Sequence, residues 1–190
     1  EVINRISDET DGNAIVVTDV GQHQMVTSRY YKFQKTLSCI TSGGLGTMGF
    51  ALPAAMGAKV GQPSRIVIAV IGDGGFQMTI QELGTIKQSK LAVKILILNN
   101  NFLGMVRQWQ QLFFEKRYSF TELDNPDFQM ITRGYGIKSQ KVDKREHLDQ
   151  AIGDWLNSDG PALLEVVVEN EENVFPMVPS GASVSDIRLD

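Results

Sequence analysis

The sequence predicts an α/β fold of three layers, with helices on both faces of a mostly parallel sheet. Short apolar runs rich in β-branched residues alternate with stretches of helical pattern, and this alternation is typical of βαβ units. Most of the runs are continuously apolar, as in strands that are covered on both faces. The length of 190 residues and the apolar content of 42% support a single hydrophobic core.

Six apolar runs are predicted to be strands. In chain order they cover residues 14–18, 37–40, 65–71, 93–98, 137–142 and 162–168. The fifth run carries the weakest strand pattern, because polar residues fill its middle. We assign residues 1–168, which contain all six runs, to one domain.

Five segments between these runs are predicted to be helices. They cover residues 48–60, 79–88, 104–114, 126–134 and 143–156. Thr79 and Glu82 have the spacing of a capping box, and Asp143 and Glu146 form a similar pair. Pro126 stands near the first helical position, which proline favours. The third helix places four side chains on one face by helical spacing: Met105, Gln108, Trp109 and Leu112.

The last stretch, residues 169–190, differs in character from the rest of the chain. It contains Pro176, Pro179 and Gly181 and shows no clear period. We predict a surface tail or a lid, with disorder as the alternative.

Composition and charge exclude several function classes. A net charge of −4 argues against a nucleic-acid binder with a basic face. No apolar run approaches the roughly 18 residues of a membrane span. The single cysteine, Cys39, excludes an internal disulfide; we place it in the core and expect a reducing, cytoplasmic setting. The first residue is Glu1 rather than Met, which suggests a processed product or part of a longer polypeptide.

Polar or glycine-rich residues follow four of the predicted strands, at 19–23, 41–46, 72–75 and 99–101. Ligands of open parallel sheets bind outside the carboxyl ends of the strands. These four turns therefore predict a binding rim for a polar, anionic ligand.

Asp73 and the asparagines at 99–101 are the most informative residues of this rim. Carboxylate and amide oxygens suit Mg²⁺, which takes one or two protein carboxylates together with substrate phosphates. Gly74 and Gly75 let the backbone approach a phosphate closely, and a helix starting near Thr79 would point its amino end at the same edge. A magnesium–diphosphate site follows; the alternative is that these are ordinary turn residues.

The glycine-rich segment 44–49 predicts a rival function. It matches the G-x-G-x-x-G pattern between a strand and a helix, which is the fingerprint of dinucleotide binding. Asp73, at the end of the next strand, would then be the ribose-binding acid. This nicotinamide-binding alternative leaves Asn99 and Asn100 unexplained.

Gly72-Asp73-Gly74, followed after residues 75–98 by Asn99-Asn100, resembles the thiamine diphosphate motif at its usual spacing. Several stretches together resemble the acetolactate synthase large subunit over essentially the whole chain. These stretches are residues 21–25, 40–49, 94–100, 104–110 and 175–179. Another thiamine-dependent decarboxylase or carboligase is a second reading, and a binding or regulatory module without catalysis is a further one.

The resemblance implies a set of site residues. Asp73, the Asn100 side chain and the Phe102 carbonyl would ligate Mg²⁺. Thiamine diphosphate would contact Gln22, His23, Gly46, Met48, Gly72, Asp73, Gly74, Gly75, Asn100, Gly104 and Met105. Met48 would force the two rings of the cofactor into a bent conformation, and Trp109 would shape the pocket of the second substrate. Without the resemblance, the sequence favours a loop position for His23, a place in the core for Met48 and a buried aromatic side chain for Trp109.

The implied reaction decarboxylates pyruvate and joins the two-carbon unit to a second 2-oxo acid, in branched-chain amino acid biosynthesis. The resemblance also implies a homo-oligomer, with FAD in another region, and a possible small regulatory subunit. The acid that protonates the cofactor lies in a region this chain does not match, so we expect the chain alone to be inactive and to bind cofactor weakly. Residues 101–103 are more apolar than is usual in the family, which leaves the second substrate open.

Overall fold

A computed structural model describes residues 1–179 and 181–189 of the chain. Six strands form one sheet in the order β2-β1-β3-β4-β6-β5, and every neighbouring pair is parallel. The strands are β1 (Ile15–Thr18), β2 (Cys39–Thr41), β3 (Val67–Gly72), β4 (Val93–Asn99), β5 (Lys138–Val142) and β6 (Ala162–Val167). The α/β fold with a parallel sheet is confirmed.

Eight α-helices accompany these strands in the described part of the chain. They are α1 (Val2–Glu9), α2 (Gln22–Tyr30), α3 (Ala51–Gly61), α4 (Asp73–Met78), α5 (Glu82–Gln88), α6 (Gly104–Phe113), α7 (Phe128–Gly134) and α8 (Leu148–Leu156). Within the described ranges, no helix has the length and apolarity that a membrane crossing requires.

The core lies in two layers, one on each face of the sheet. Side chains at alternate positions of β3 point to opposite faces, so Ala69 packs with α3 and α5 while Ile68 packs with α1 and α8. Every residue of β1 and β3 is buried, which explains why these strands read as unbroken apolar runs. The prediction of helices on both faces of the sheet is therefore confirmed.

Two of the predicted helix caps are wrong. The Thr79 hydroxyl donates a hydrogen bond of 3.0 Å to the Gly49 carbonyl instead of capping a helix, and α5 begins only at Glu82. At 143–156 a 3-10 turn precedes α8, and no side chain caps the start of either.

The start of α7 shows a cap that the proline signal only approximated. Asp127 is the N-cap, and its carboxylate accepts a hydrogen bond of 2.8 Å from the Met130 amide. Pro126 therefore lies outside the helix rather than at its first position.

The placement of Cys39 in the core is also wrong. It lies on β2, one of the two edge strands of the sheet, and is exposed. An edge strand is covered less completely than a central one, so its short apolar run does not guarantee burial of each side chain.

Residues 169–179 and 181–189 follow β6. Met177 and Arg188 pair across an antiparallel bridge, so this segment folds back on itself. It packs against α2 and α6, where Arg29 donates hydrogen bonds to the carbonyls of Phe175 and Pro176.

Candidate functional site

A cavity of about 650 Å³ opens at the carboxyl ends of β1, β3 and β4. These strands are neighbours in the order β1-β3-β4, so residues far apart in sequence meet at one edge. Eleven of the predicted site residues line the cavity: Gln22, His23, Met48, Gly72, Asp73, Gly74, Gly75, Asn100, Phe102, Gly104 and Met105. Three of the four turns of the predicted rim contribute to this cavity, whereas the turn at 41–46 does not.

Asp73 lies at the tip of β3, as the first residue of α4, and is 1% exposed. Its Oδ2 accepts a hydrogen bond of 2.7 Å from the Asn125 amide. Burial raises the pKa of this carboxyl, although the Asn125 hydrogen bond acts in the opposite direction. Backbone hydrogen bonds also oppose the rise, but burial is the larger influence. A buried carboxylate is expensive in the charged form, and a bound cation would stabilise it.

Asn99 and Asn100 lie at the carboxyl end of β4. The Asn100 Oδ1 accepts a hydrogen bond of 3.2 Å from the Phe102 amide, and the Asn100 Nδ2 lies 3.5 Å from the Gln22 Oε1. Asn100 thus has both the local turn bond that its residue type favours and a position on the cavity. Asn99 is buried and donates to Glu165 instead.

The donor set at the two tips fits a hard cation. It combines one carboxylate, one amide oxygen and the possibility of a backbone carbonyl, which is the modest protein share that Mg²⁺ usually takes. In the part of the chain that the structure describes, no three His, Cys, Asp or Glu side chains cluster as a metal centre. A site completed by ligand phosphates agrees better with this edge than an all-protein site.

His23 lies in the first turn of α2, and its ring lies close to two glycines. A Cβ on either Gly21 or Gly72 would lie 2.9 Å from the His23 Cε1. Among residues 1–179 and 181–189, the buried His23 Nε2 has no hydrogen-bond partner. Burial lowers the pKa of His23 to about 4, so the ring is neutral near pH 7. A neutral ring with an unused buried nitrogen points to a missing ligand.

Asp19 is a site residue that the sequence placed only within a polar turn. It is fully buried after β1, and both carboxylate oxygens lie 3.0 Å from the Gly49 amide. A Cβ on Gly75 would lie 2.9 Å from its Oδ2. Asp19 thereby fixes the backbone beside Met48 and requires a glycine at 75. Burial raises its pKa, while bonds from the Val20 and Gly49 amides oppose the rise.

Gln108 is a second residue that sequence reasoning missed for this site. Its Oε1 accepts hydrogen bonds from the Gln22 side chain at 2.8 Å and from the Val174 amide at 2.9 Å. The Gln22 Nε2 also donates to the Glu172 carbonyl at 3.0 Å. The segment after β6 therefore closes one wall of the cavity. Helical spacing grouped Gln108 with apolar neighbours, and only its polarity on that face could have signalled this role.

Gly104 begins α6 where two site side chains come very close. A Cβ there would lie 2.3 Å from the Gln22 Oε1 and 2.7 Å from the Asn100 Nδ2. The absence of a side chain at this position is what lets Gln22 and Asn100 meet.

Two predicted site residues do not line the cavity. Gly46 lies in an exposed loop with a left-handed φ of 61°. Trp109 packs against Phe113 with ring centroids 4.7 Å apart. The structure does not bring either to the cavity wall, and their roles stay predictions.

Comparison with known proteins gives a specific family match. Residues 19–166 match the family described as "Thiamine pyrophosphate enzyme, C-terminal TPP binding domain". The chain is 49% identical over 187 residues to the acetolactate synthase isozyme 2 large subunit of Escherichia coli, covering 98% of this chain and 34% of that protein. It is 48% identical over 182 residues to the acetolactate synthase large subunit of Lactococcus lactis, covering 95% and 32%. It is 48% identical over 192 residues to the mitochondrial acetolactate synthase of Schizosaccharomyces pombe, covering 100% and 29%. The chain spans about a third of the length of these relatives.

Proposed function

The chain belongs to the thiamine pyrophosphate enzymes as their C-terminal TPP binding domain, and from that premise we propose that it holds the diphosphate end of thiamine diphosphate, through Mg²⁺, in an acetolactate synthase. The observation that carries the proposal is the convergence of Asp73 and Asn100, from neighbouring strand tips, on one cavity. The similarity to three acetolactate synthases supports the reaction class.

The metal would be held by the Asp73 carboxylate, the Asn100 amide oxygen and the Phe102 carbonyl. The charge of the cation would remove the cost of keeping Asp73 ionised while 99% buried. The diphosphate oxygens would complete the coordination, as is common for Mg²⁺.

The diphosphate itself would be bound by His23 and Gln22. The unpartnered Nε2 of His23 can donate a hydrogen bond to an anion. Gly74 and Gly75, in the first turn of α4, line the same cavity, where their backbone amides would bind the diphosphate. Gly72 keeps the strand tip free of a side chain, so the His23 ring can remain in place.

Met48 would act on the organic part of the cofactor. It lines the cavity, and its Cε lies 3.8 Å from where a Cβ on Gly74 would be. The adjacent Gly49 amide is fixed by Asp19, so the backbone carrying Met48 is held firmly. A fixed apolar side chain beside the glycine wall is suited to pressing the cofactor rings into one conformation, which is a proximity effect.

When bound, thiamine diphosphate supplies the carbanion chemistry that decarboxylates pyruvate and joins the two-carbon unit to a second 2-oxo acid. This chain's share is to bind, orient and desolvate that group. We assign the pocket of the second substrate to Trp109, and branched-chain amino acid biosynthesis as the role. FAD, a homo-oligomeric assembly, a small regulatory subunit and a cytoplasmic location are further proposals for the native protein.

The nicotinamide-binding alternative finds no support in the family match. Its glycine-rich loop, residues 44–49, follows the edge strand β2, and Gly44, Leu45 and Gly46 are exposed and outside the cavity. A dinucleotide would be expected at the central strand tips instead.

The decisive experiment replaces Asp73 in the native polypeptide that carries this chain. Asp73→Asn should weaken Mg²⁺-dependent binding of thiamine diphosphate by about 100-fold or more, because even outer-shell partners of metal ligands contribute about 10–100-fold. Isothermal calorimetry with and without EDTA measures the affinity, and acetolactate production from pyruvate measures turnover. Asp154→Asn is the matched control, since Asp154 is exposed on α8.

Equal cofactor affinity in Asp73→Asn and Asp154→Asn would refute the metal site. A rise in melting temperature with NAD, and none with magnesium and thiamine diphosphate, would instead favour the dinucleotide reading.

A further inference from the structure

We propose that Asn125, on the loop between α6 and α7, is a positioning residue of the metal centre. Its side chain ties the tips of β3 and β4 together at the separation that lets Asp73 and Asn100 share one cation. The inference rests on the proposed function and adds to it a residue that touches neither the cofactor nor the reacting atoms.

The Asn125 amide group lies among three oxygens. Its Nδ2 is 2.7 Å from the Asp73 Oδ2, 2.9 Å from the Asn101 Oδ1 and 3.2 Å from the Asn99 Oδ1. Only the NH₂ end of the side chain can face three acceptors, because an oxygen there would be repelled by all of them. The amide therefore bridges the end of β3 to the end of β4.

The opposite end of the Asn125 side chain is also held. Its Oδ1 accepts a hydrogen bond of 2.8 Å from the Gln77 side chain on α4. Since Asp73 is the first residue of α4, the loop is fastened to both ends of the helix that carries the carboxylate.

The backbone explains how a distant loop reaches this point. The Leu103 amide donates to the Thr121 carbonyl at 2.7 Å, and the Leu123 amide donates to the Asn101 carbonyl at 2.8 Å. Phe102 and Glu122 form an antiparallel bridge between these bonds. The loop thus runs alongside the segment that carries the proposed Phe102 ligand, and it arrives beside Asp73 two residues later.

A buried carboxylate fixes the far side of this arrangement. Glu165 on β6 is 2% exposed, and it accepts bonds of 2.8 Å from the side chains of Asn99 and Gln129. It also pairs with Lys141 at 3.2 Å. Because the Asn99 Nδ2 is committed to Glu165, its Oδ1 is turned toward Asn125. Hydrogen bonds therefore connect Glu165 to Asp73 through the side chains of Asn99 and Asn125. Residues that bond to a metal ligand in this way hold the ligand in its orientation.

The same contacts would arise if Asn125 merely filled the space of the cation. The two readings differ in sign. A filler would compete with the metal, so removing its amide would tighten metal binding. A positioning residue holds the carboxylate in place, so removing it would free Asp73 to rotate and would weaken metal binding.

The test measures Mn²⁺, as a stand-in for Mg²⁺, by electron paramagnetic resonance in the native polypeptide with saturating thiamine diphosphate. Asn125→Ala should weaken Mn²⁺ binding by about 10–100-fold and change the spectrum of the bound ion. Gln77→Ala removes only the exposed hydrogen bond to the Asn125 Oδ1 and leaves the Asn125 NH₂ group in place. It should therefore weaken Mn²⁺ binding less than Asn125→Ala does. Asn157→Ala on the exposed end of α8 should leave it unchanged.

Circular dichroism and melting of the metal-free protein confirm that each variant is folded; if Asn125→Ala is not, Gln77→Ala decides the question by itself. The positioning role alone is overturned if the wild type binds Mn²⁺ normally and Asn125→Ala binds it as tightly or more tightly. If Asn125→Ala does not fold, the same criterion applies to Gln77→Ala. Failure of the wild type to bind Mn²⁺ at all overturns the proposed function, and the positioning role with it.

Discussion

Lys94 and His23 lie at opposite edges of one sheet, and burial lowers the pKa of both. Lys94, near the amino end of β4, is 5% exposed and has a pKa of about 8. Its Nζ donates to the Ser158 carbonyl and hydroxyl and to the Gly160 carbonyl at 2.5–3.1 Å. His23, at the carboxyl edge, has a pKa of about 4, and its Nε2 has no partner within the described residues.

The difference separates structure from binding. At the amino edge, the protein's own oxygens satisfy the buried Lys94 ammonium group. The carboxyl edge keeps a buried nitrogen that lacks a partner within the described residues, together with a buried carboxylate, Asp73, whose pKa is raised by burial. Both cost stability unless a ligand compensates for the burial. A parallel sheet thus carries its stabilising and its binding chemistry at different ends.

The largest expected effect is on the acid side of the pH profile. The folded-state pKa of His23 lies below the unfolded value of about 6.5, so the unfolded chain takes up the proton first. The contribution of His23 to the free energy of unfolding is complete above about pH 6.5 and is lost as the pH falls toward 4, by about 3 kcal/mol. Urea unfolding of wild type and His23→Gln from pH 4 to 7 measures it.

Only the difference between the two proteins isolates His23, because the raised pKa values of Asp19 and Asp73 act in the opposite direction in acid. His147→Gln is the matched control, since this second histidine is exposed. Parallel profiles for wild type and His23→Gln would show that the buried ring does not titrate as the structure requires.

The next effect tests whether the His23 ring needs the glycine at position 72. Gly72→Ala places a Cβ 2.9 Å from this ring, so it should cost about 1–3 kcal/mol of stability. Adding His23→Ala should restore part of that loss, which a double-mutant cycle in urea measures. Gly153→Ala, where a Cβ meets nothing within 4 Å, should instead gain about 0.5–1 kcal/mol. If the stability losses of Gly72→Ala and His23→Ala simply add, the new Cβ does not clash with the His23 ring.

The smallest effect concerns the amino edge. Lys94→Met removes the donor from two partly buried carbonyls but also removes a buried charge, so a net loss of about 1 kcal/mol at pH 7 is expected. The wild type should gain stability from about pH 8 to 10.5, because the folded pKa lies below the unfolded one, and the variant should lose this slope. Cofactor affinity should not change; a change would break the division between the two edges.

The elements found from the sequence are those with an unbroken apolar or periodic pattern, such as β3 and α6. The helices α1, α2 and α4 were not predicted. α2 reads Gln-His-Gln-Met-Val-Thr-Ser-Arg-Tyr, with no apolar stripe, so its pattern is that of a loop. α4 has only six residues and contains Gly74 and Gly75, and it is held by its neighbours rather than by helix propensity.

The site divides in the same way. Asp73 and Asn100 could be found because each directly follows a strand, where chain order and sheet position coincide. Asn125 could not, because its loop reaches Asp73 only through backbone pairing with residues 101–103. Gln108 could not, because its partner Gln22 is 86 positions away in the chain.

By itself, the sequence determined the layered fold, the edge of the sheet at which the cavity opens and most of the residue types that line it. Those properties depend on local patterns: strand burial, chain polarity and the residue that ends each strand. The tertiary structure alone decided which atoms are partnered and which are left open. Hydrogen bonds between Asn125 and Asp73, or their absence at His23, depend on distances that only the packed chain defines.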